Sequence, residues 1–290
     1  MNIGVIGLGL IGGSICRTLV KKTNHKVYAY TRSASTMAKA KLVEAYHEEL
    51  TLENAKELDI LIISLYPKKI IEYMELYAPH MKDGAIIMDC GGNKRGICSA
   101  MEELSIKYPN LYFIGGHPMA GREYSGFSHS TTTMFDNATF LMVPINNTPI
   151  EIRVIIKKLC VEMGFAGVVV TTAEEHDKMI SYTSQLAHIV SSAYIKNPIA
   201  VEHFGFSAGS FRDMTRVARL NPEMWTELML NNSDFLVDQI NVLIKNLEEY
   251  KVALENKDES YLTKLLQDGT DQKLKVEEMR NKALAKKVEK

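Results

Sequence analysis

The sequence predicts an α/β fold, in which a doubly wound sheet is followed by an all-helical C-terminal domain. Three observations support this prediction. An apolar strand at the start of the chain runs into a glycine-rich turn and a helix, and strands and helical segments then alternate as far as residue 171. Over residues 172–290 the strand-like runs stop and long helical periodicity takes over. We therefore expect one domain over 1–171 and a second, helical domain over 172–290.

The first strand, at residues 3–6, leads directly into Gly-Leu-Gly-Leu-Ile-Gly at residues 7–12. A G-x-G-x-x-G turn between a buried strand and a helix is the fingerprint of a Rossmann-type dinucleotide-binding domain. Gly7 allows the tight turn, Gly9 lets a pyrophosphate approach the backbone, and Gly12 lets the helix pack closely on the sheet. The phosphates would meet the N–H groups at the start of the helix. The predicted cofactor site includes Gly7, Gly9, Leu10, Ile11 and Gly12.

The rest of the first domain continues the alternation. Helices are expected at residues 34–45 and from Pro67 onward, since proline is favoured at the first position of a helix. The run at 60–65 is almost wholly apolar, as is typical of a parallel strand covered on both faces. Further strands are predicted at residues 27–30, 60–65, 85–89, 112–115, 140–143 and 167–171. This pattern predicts a doubly wound parallel sheet with helices on both faces.

The second domain is predicted to contain helical stretches at 174–193, 222–256 and 260–286, the middle one as one or two long helices that begin at Pro222. That middle stretch is rich in apolar positions. They are Met224, Leu228, Met229, Leu236, Val237, Ile240, Leu243 and Ile244. Because an apolar helix face needs a covering surface, we expect a second subunit to cover it. The all-helical region is then a dimerisation domain, and the protein a homodimer.

The composition excludes several classes of protein. The net charge is −1 and the pI is about 6.7, which argues against a nucleic-acid partner or an anionic membrane surface. The four cysteines have no metal-ligand spacing and are too few for a disulfide framework. We therefore expect reduced thiols, no metal and a cytoplasmic protein. The N-terminal segment is typical of a core strand rather than a signal peptide, and no apolar run reaches the ~20 residues that span a bilayer.

The end of the second strand bears on the choice of cofactor. An acidic residue there normally binds the ribose 2′-hydroxyl of NAD. This chain has Thr31, Arg32 and Ser33 instead, and a guanidinium with two hydroxyls suits a 2′-phosphate. We therefore favour NADP over NAD. The alternative is that Arg32 is a solvated loop residue that only stacks on adenine.

Three clusters of histidine and arginine are hard to explain by packing alone. His117 lies between glycines and a proline in Gly-Gly-His-Pro-Met-Ala-Gly, directly after the predicted fifth strand, where ligands of such sheets bind. The second cluster is Glu-Glu-His-Asp at 174–177 with Ser-Gln-Leu-Ala-His at 184–188. The third is Phe-Arg-Asp-Met-Thr-Arg at 211–216 with Asn-Pro-Glu-Met-Trp at 221–225. Its two arginines are four residues apart, which places them on one face of a helix.

With these motifs in this order, the chain resembles the prephenate/arogenate dehydrogenases of tyrosine biosynthesis over nearly its whole length. The resemblance rests on Gly-Leu-Gly-Leu-Ile-Gly-Gly-Ser, His-Pro-Met-Ala-Gly, Glu-Glu-His-Asp, Ser-x-Leu-x-His, and Asp-x-Thr-Arg followed by Asn-Pro-x-x-Trp. It implies the oxidative decarboxylation of prephenate to 4-hydroxyphenylpyruvate with hydride transfer to NAD(P)+, or of arogenate to tyrosine. The two substrates differ only in a keto or an amino group. We favour prephenate, and arogenate stays open.

The residue chemistry and the resemblance together indicate roles for particular side chains. A neutral imidazole that takes the proton of the substrate hydroxyl is worth roughly 10²–10⁴-fold in rate, and we assign this task to His117. A substrate with two carboxylates calls for guanidinium groups, and Arg216 matches the substrate-binding arginine of the family. Further assignments are His188, Trp225 and Gly209 to the substrate site, and Ser64, Asn93 and Lys94 to the cofactor site.

Each of these assignments has a purely structural alternative. Arg216 could form an ion pair with Asp213, His188 and Trp225 could belong to the core, and His117 could be a structural turn residue. His176 is expected to be structural, at the junction of the two domains.

Two positions depart from the family pattern. Asp-Cys-Gly-Gly-Asn-Lys at 89–94 has Gly92 where the family often has a serine that helps to orient the catalytic histidine. Arg122 directly follows the His-Pro-Met-Ala-Gly motif at 117–121, at a position where the family commonly has a small hydroxyl residue. The missing hydroxyl leaves open a non-catalytic sensor that binds a nicotinamide nucleotide. A β-hydroxyacid dehydrogenase is a further alternative, but those enzymes depend on a lysine in the helical domain, where this chain offers histidine and arginine.

Overall fold

The computed structural model of the chain describes residues 1–122 and 124–288. It divides into two compact units, of which the first is Met1–Leu236 and the second begins at Val237. The first unit contains an eight-stranded sheet. Its strands are β1 (Asn2–Ile6), β2 (Lys26–Tyr30), β3 (Glu48–Glu49), β4 (Ile60–Ile63), β5 (Ile86–Asp89), β6 (Tyr112–Met119), β7 (Thr139–Pro144) and β8 (Gly167–Val170).

The strand order is β3-β2-β1-β4-β5-β6-β7-β8. The first six of these strands in the order are parallel, but β7 pairs antiparallel with β6, and β8 runs parallel to β7. The prediction of a wholly parallel sheet was therefore wrong at this edge. A parallel pair needs a crossover of a dozen or more residues, usually a helix. Between β6 and β7 the described chain forms only a short 3-10 helix at Phe127–His129, so the strand returns beside its predecessor.

All seven predicted strands are present, and the sheet has one more. The additional strand, β3, is a two-residue strand of exposed glutamates beside β2, and it gives no apolar signal in the sequence. β6 is longer than predicted, because it continues from Tyr112 through His117 to Met119 along β7.

Helices cover both faces of the sheet, as predicted. The five helices of this region are α1 (Leu10–Lys22), α2 (Ala34–Leu42), α3 (Pro67–Tyr77), α4 (Arg95–Lys107) and α5 (Ile150–Met163). One apolar cluster joins α1 and α5 to the face of β1 that carries Ile3 and Val5. A second cluster joins α3 and α4 to the opposite face, with Ile6 and Ile63. The sheet is thus buried on both faces, and this packing holds its strands in place.

The chain after the sheet is helical. The stretch predicted at 174–193 is one continuous helical run, made of α6 (Ala173–Ile180), a π-helical segment (Ser181–Leu186) and α7 (Ala187–Ile195). Thr172 caps α6 by accepting the N–H of Glu175. The remaining helices are α8 (Gly209–Thr215), α9 (Pro222–Leu230), α10 (Ser233–Glu255) and α11 (Glu259–Val288). The stretch at 222–256 is therefore two helices.

The predicted domain boundary and the compact units divide the chain at different places. Strands give way to helices at residues 171–172, whereas the compact unit that holds the sheet continues to Leu236. In the second unit the Tyr250 hydroxyl donates a hydrogen bond to the Leu265 carbonyl. Over the described residues, no helix combines the length and the apolar character that crossing a membrane requires.

Candidate active site

A cavity of about 1050 Å³ opens at the carboxyl ends of the parallel strands. It is lined by residues that follow β1, β2, β4 and β5, by His117 of β6, and by residues of the π-helical segment, α7 and α9. Ligands of doubly wound sheets bind at this edge. The volume exceeds the upper end of the ~300–1,000 Å³ typical of small-molecule sites, so the cavity has room for a dinucleotide together with a substrate.

The glycine-rich turn has the geometry that a dinucleotide needs. Gly7 has φ +93°, and a Cβ there would lie 2.2 Å from the Ser64 carbonyl oxygen. A Cβ on Gly12 would lie 2.0 Å from the carbonyl oxygen of Gly7, so α1 can start here only with glycine at that position. A Cβ on Gly9 would have no neighbour within 4 Å. The turn is therefore closed at its base and open toward the cavity at Gly9, Leu10 and Ile11, all of which line it.

The end of β2 lines the part of the cavity assigned to the adenosine ribose. Thr31 and Arg32 line the cavity together with Lys69 of α3. Ser33, which was also predicted to bind the cofactor, does not line it: its Oγ caps α2 by accepting the Thr36 N–H at 3.2 Å. Ser64, after β4, which was predicted to bind the cofactor, lines the cavity.

The loop after β5 begins with a buried ion pair. The ammonium of Lys94 donates to Asp89 Oδ2, and neither side chain is exposed to solvent. Asp89 also accepts the N–H of Gly91 through Oδ2 at 2.6 Å and that of Gly116 through Oδ1 at 3.1 Å. Lys94 was predicted to bind the cofactor, but its side chain is directed into the protein and does not line the cavity.

The bond from Gly116 to Asp89 explains how His117 reaches the edge of the sheet. β6 pairs with β5 only as far as Ile114, while its pairing with β7 continues to Met119. Past the end of β5 the side chain of Asp89 takes the place of a strand partner. His117 therefore lies in a strand, opposite Leu141, and not in a loop after the strand as predicted. It lines the cavity and is half-buried.

A chain of hydrogen bonds leads from His117 into the protein. His117 Nδ1 lies 2.9 Å from His176 Nε2, and His176 Nδ1 lies 2.7 Å from Asp177 Oδ1. Asp177 also accepts two backbone N–H groups at the start of α4, from Lys94 at 2.7 Å and from Arg95 at 2.9 Å. His176 and Asp177 are 2% and 1% exposed. The histidine expected to be structural is thus in direct contact with the predicted base.

This environment changes the pKa values of all three groups. Burial, the Lys94 ammonium and His176 lower the pKa of His117 well below its usual value. Burial and Lys94 also lower the pKa of His176, although Asp177 acts in the opposite direction. For Asp177, burial would raise the pKa, but hydrogen bonds from His176, Arg95 and Lys94 outweigh it and the pKa is lowered. Both imidazoles are therefore neutral, and the carboxylate is ionised, at neutral pH.

Asn93, predicted to bind the cofactor, lines the cavity but is 4% exposed, and its polar atoms have protein partners. Its Nδ2 donates to the Leu228 carbonyl at 2.8 Å, and its Oδ1 accepts from Gln185 Nε2 at 3.2 Å. Gln185 Oε1 accepts in turn from Asn232, which also donates to the Asp177 carbonyl. This amide network joins the loop after β5 to the helices on the far side of the cavity.

The helical wall of the cavity contains three of the four predicted substrate residues. His188 and Trp225 are in contact, with ring centroids 4.0 Å apart, and both line the cavity with Arg216. His188 Nδ1 donates to the Ser184 carbonyl at 2.9 Å, which leaves Nε2 as the acceptor of the neutral ring. Burial and the nearby Arg216 lower the pKa of His188. Gly209, the fourth residue, is exposed at the start of α8 and does not line the cavity.

The charges of the cavity lining have one sign. Five cationic side chains line it, whereas the described part of the lining includes no aspartate or glutamate. These cations are Arg32, Lys69, Arg122, Arg216 and Arg219. All five are exposed residues. The described residues contain no cluster of three or more histidine, cysteine or acidic side chains placed to hold a metal ion.

Sequence reasoning missed several residues of this site. Asp89 and Asp177 each belong to a motif described above. Nothing in either motif indicates that the aspartate accepts hydrogen bonds from the backbone around the site. Lys69 lies on α3 and Arg219 lies between α8 and α9, and only the tertiary fold brings these two segments to the cavity. The four cysteines are free, as expected.

Comparison with known families identifies both halves of the chain. Residues 15–170 match the prephenate dehydrogenase nucleotide-binding domain, and residues 172–268 match the prephenate dehydrogenase dimerization domain.

Individual relatives agree with this match. The prephenate dehydrogenase of Lactococcus lactis subsp. cremoris is 30% identical over 278 residues, which are 92% of this chain and 75% of that protein. Among solved structures, the arogenate dehydrogenase of Synechocystis is 26% identical with a TM-score of 0.79, covering 95% of this chain and 100% of that one. The prephenate dehydrogenase of Aquifex aeolicus, in complex with hydroxyphenyl propionate and NAD+, has a TM-score of 0.84 at 23% identity and covers 95% and 98%.

Proposed function

The chain belongs to the prephenate dehydrogenase family, and we propose that it catalyses the oxidative decarboxylation of prephenate to 4-hydroxyphenylpyruvate, with hydride transfer to NAD(P)+. The observation that carries this proposal is the placement of His117, a neutral and half-buried imidazole, in a cavity whose described lining has five cations and no carboxylate. Prephenate has two carboxylates and a ring hydroxyl, so it needs both features at once.

The residues around the turn fit a nicotinamide dinucleotide. The open space at Gly9 admits a pyrophosphate to the backbone, and α1 begins at Leu10 without a side-chain cap, so its first N–H groups are directed at that space. Gly7, Leu10, Ile11 and Ser64 complete the lining there. When bound, the nicotinamide supplies the acceptor for the hydride that leaves C4 of the substrate.

His117 acts as the general base. With Nδ1 occupied by His176, its Nε2 takes the proton of the 4-hydroxyl as the hydride leaves C4. The loss of CO2 from C1 then makes the ring aromatic. Because the pKa of His117 is lowered, the ring is neutral and able to accept a proton at neutral pH.

Arg216 binds a substrate carboxylate from the helical wall, and Arg219 and Arg122 add positive charge to the cavity lining. His188 and Trp225 form the wall beside them. The cationic lining favours prephenate over arogenate, because the ammonium group of arogenate would gain from a carboxylate partner that the described lining does not contain. A catalytic lysine from the helical domain has no counterpart there either, since Lys69, the lysine of the described lining, belongs to α3.

The ribose end of the cavity favours NADP. Thr31, Arg32 and Lys69 all line the cavity, and two cations with a hydroxyl suit a 2′-phosphate. Changing Arg32 to Ala should therefore raise the KM for NADP more than the KM for NAD. A larger effect on NAD would assign Arg32 to adenine stacking.

We also infer a homodimer formed through the helical region, because the match at residues 172–268 is to a dimerization domain. Several apolar side chains of α10 are exposed in the single chain, among them Val237 and Ile244. Light scattering coupled to size exclusion tests this. Four free cysteines are consistent with a cytoplasmic location.

The experiment that tests the proposal is turnover of the purified protein with prephenate and with arogenate, each with NADP and with NAD, followed by nicotinamide absorbance. We expect the highest kcat/KM with prephenate and NADP. A higher kcat/KM with arogenate would assign the second substrate. Cofactor binding without turnover of either substrate would support a non-catalytic sensor instead.

A further inference from the structure

His176 and Asp177 lie directly behind His117, and neither lines the cavity. Both are almost completely buried, so neither touches a ligand. The reaction proposed above uses His117 alone. The reason for burying an ionised carboxylate and a second imidazole next to the base therefore lies in what they do to His117.

The positions of the protons follow from the hydrogen-bond partners. The Asp177 carboxylate accepts the N–H groups of Lys94 and Arg95, and an ionised carboxylate can only accept. The contact of 2.7 Å between Asp177 Oδ1 and His176 Nδ1 is therefore donated by the histidine. Because His176 is neutral, its other nitrogen, Nε2, carries a lone pair.

The position of the proton on His117 follows from its contact with His176. The 2.9 Å contact joins His176 Nε2, an acceptor, to His117 Nδ1, so Nδ1 of His117 carries the proton. Its ring is also neutral, and Nε2 is the nitrogen without a proton. Backbone N–H groups at the start of α4 thus determine, through two residues, which atom of the base is free.

We propose that His176, fixed by Asp177, is a positioning residue that holds His117 in the tautomer whose Nε2 accepts the substrate proton. When His117 becomes an imidazolium, its Nδ1–H donates to His176. The Asp177 carboxylate, two hydrogen bonds away, stabilises the new positive charge. The role explains why Gly92 is tolerated, since the ring is oriented from behind and needs no hydroxyl from the loop after β5.

The proposal rests on the proposed function for the reaction, but its proton positions can be measured without any substrate. In 15N NMR spectra of the full chain, the two ring nitrogens of a neutral histidine differ according to which one is protonated. We expect His117 to be protonated at Nδ1, with the signal assigned by its loss in His117→Asn. Protonation of His117 at Nε2 would overturn the proposal, whatever substrate the protein uses.

Two variants of His176 separate positioning from packing. Gln can place an acceptor oxygen near the position of Nε2, whereas Leu fills a similar volume without one. We expect His176→Leu to lower kcat about 10²-fold or more, with little change in cofactor Kd or in the substrate KM. We expect His176→Gln to recover at least tenfold of that loss. His80, an exposed histidine, provides the matched controls His80→Leu and His80→Gln, which should leave kcat unchanged.

Three results would contradict the proposal: wild-type kcat in His176→Leu, equal losses in the Leu and Gln variants while both bind cofactor normally, or a loss confined to KM. Failure of the wild-type protein to turn over prephenate would refute the proposed function instead. The NMR measurement would then still decide the tautomer.

Discussion

The two walls of the cavity are built differently. On the sheet side His117 is half-buried and has a fixed partner in His176, and the charges behind this wall are buried as the ion pair of Lys94 and Asp89. On the helical side Arg216 and Arg219 are exposed, and His188 and Trp225 are half-buried against each other. Groups held by buried partners are in place before a ligand arrives, whereas an exposed guanidinium group such as that of Arg219 loses conformational freedom on binding. The proton-transfer chemistry is therefore preorganised, whereas substrate recognition is adaptable.

This difference concerns side chains rather than backbones, because α9 is tied to the sheet. The Glu227 carboxylate accepts the Lys68 N–H at 2.7 Å, and the Leu228 carbonyl accepts from Asn93 and Gln185. Trp225 therefore projects from a helix whose backbone is held in place.

The largest expected effect is that of His117→Asn. Asparagine can still donate a hydrogen bond to His176 Nε2, so the strand and the hydrogen bonds through His176 to Asp177 are retained. No group remains to accept the substrate proton. We expect kcat to fall by roughly 10²–10⁴-fold with cofactor Kd unchanged, measured by rapid-mixing kinetics and fluorescence titration. His80→Asn is the control. Unchanged turnover would remove His117 from the mechanism and would end the distinction between the two walls.

The buried ion pair should have the next largest effect, on folding. Lys94→Met leaves the Asp89 carboxylate buried without its cation, which typically costs about 3–5 kcal/mol. Urea denaturation monitored by circular dichroism measures the loss. Lys82→Met, which breaks a surface pair with Asp59, is the control and should cost about 1 kcal/mol or less. Equal losses in the two variants would mean that the sheet-side charges are no more fixed than those at the surface.

Arg216→Ala tests substrate recognition on the helical side of the cavity. A hydrogen bond to a charged group contributes about 1.5–3 kcal/mol, so we expect the KM for prephenate to rise about 10–100-fold with a smaller change in kcat. Arg280→Ala, an exposed arginine of α11, is the control. An effect limited to cofactor affinity would move Arg216 out of the substrate site.

Gly92→Ser should have the smallest effect. A Cβ at residue 92 would lie 3.1 Å from Leu228 Cδ2, the flexible end of a side chain, so the serine fits after a small shift. Since His117 is already oriented by His176, we expect kcat to change less than about threefold, within the range of ordinary surface changes in free energy. Gly92→Ala tests the added Cβ without the hydroxyl. A gain of tenfold or more in kcat in the serine variant alone would show that His176 and Asp177 do not suffice to orient His117.

Much of the fold could be predicted from the sequence, because apolar strands and a glycine fingerprint are local signals. The seven strands and the coverage of both faces needed only periodicity and turn chemistry. The direction of β7 did not follow, since it depends on the connection from β6, where the described residues form a short 3-10 helix and no α-helix. The two-residue strand β3 lacks any apolar pattern.

The candidate site was predictable where a residue lines the cavity directly, as with Gly9, His117 and Arg216. It was not predictable where a motif residue has a partner distant in sequence. Lys94 is seen as a ligand in the sequence and as one half of a buried pair in the structure. His176 was expected to be structural because nothing local reveals that β6 and α6 place two imidazoles 2.9 Å apart.

The placement of His117 in a strand links catalysis to folding fidelity. His117 pairs with Leu141 in the antiparallel ladder of β6 and β7, and successive side chains of a strand point to opposite faces. A slip of one residue in that register would turn the imidazole away from the cavity. Most backbone hydrogen bonds between the two strands would still form. A refolded sample with that slip would retain its strand content by circular dichroism and lose its activity, so specific activity is sensitive to strand pairing at this edge.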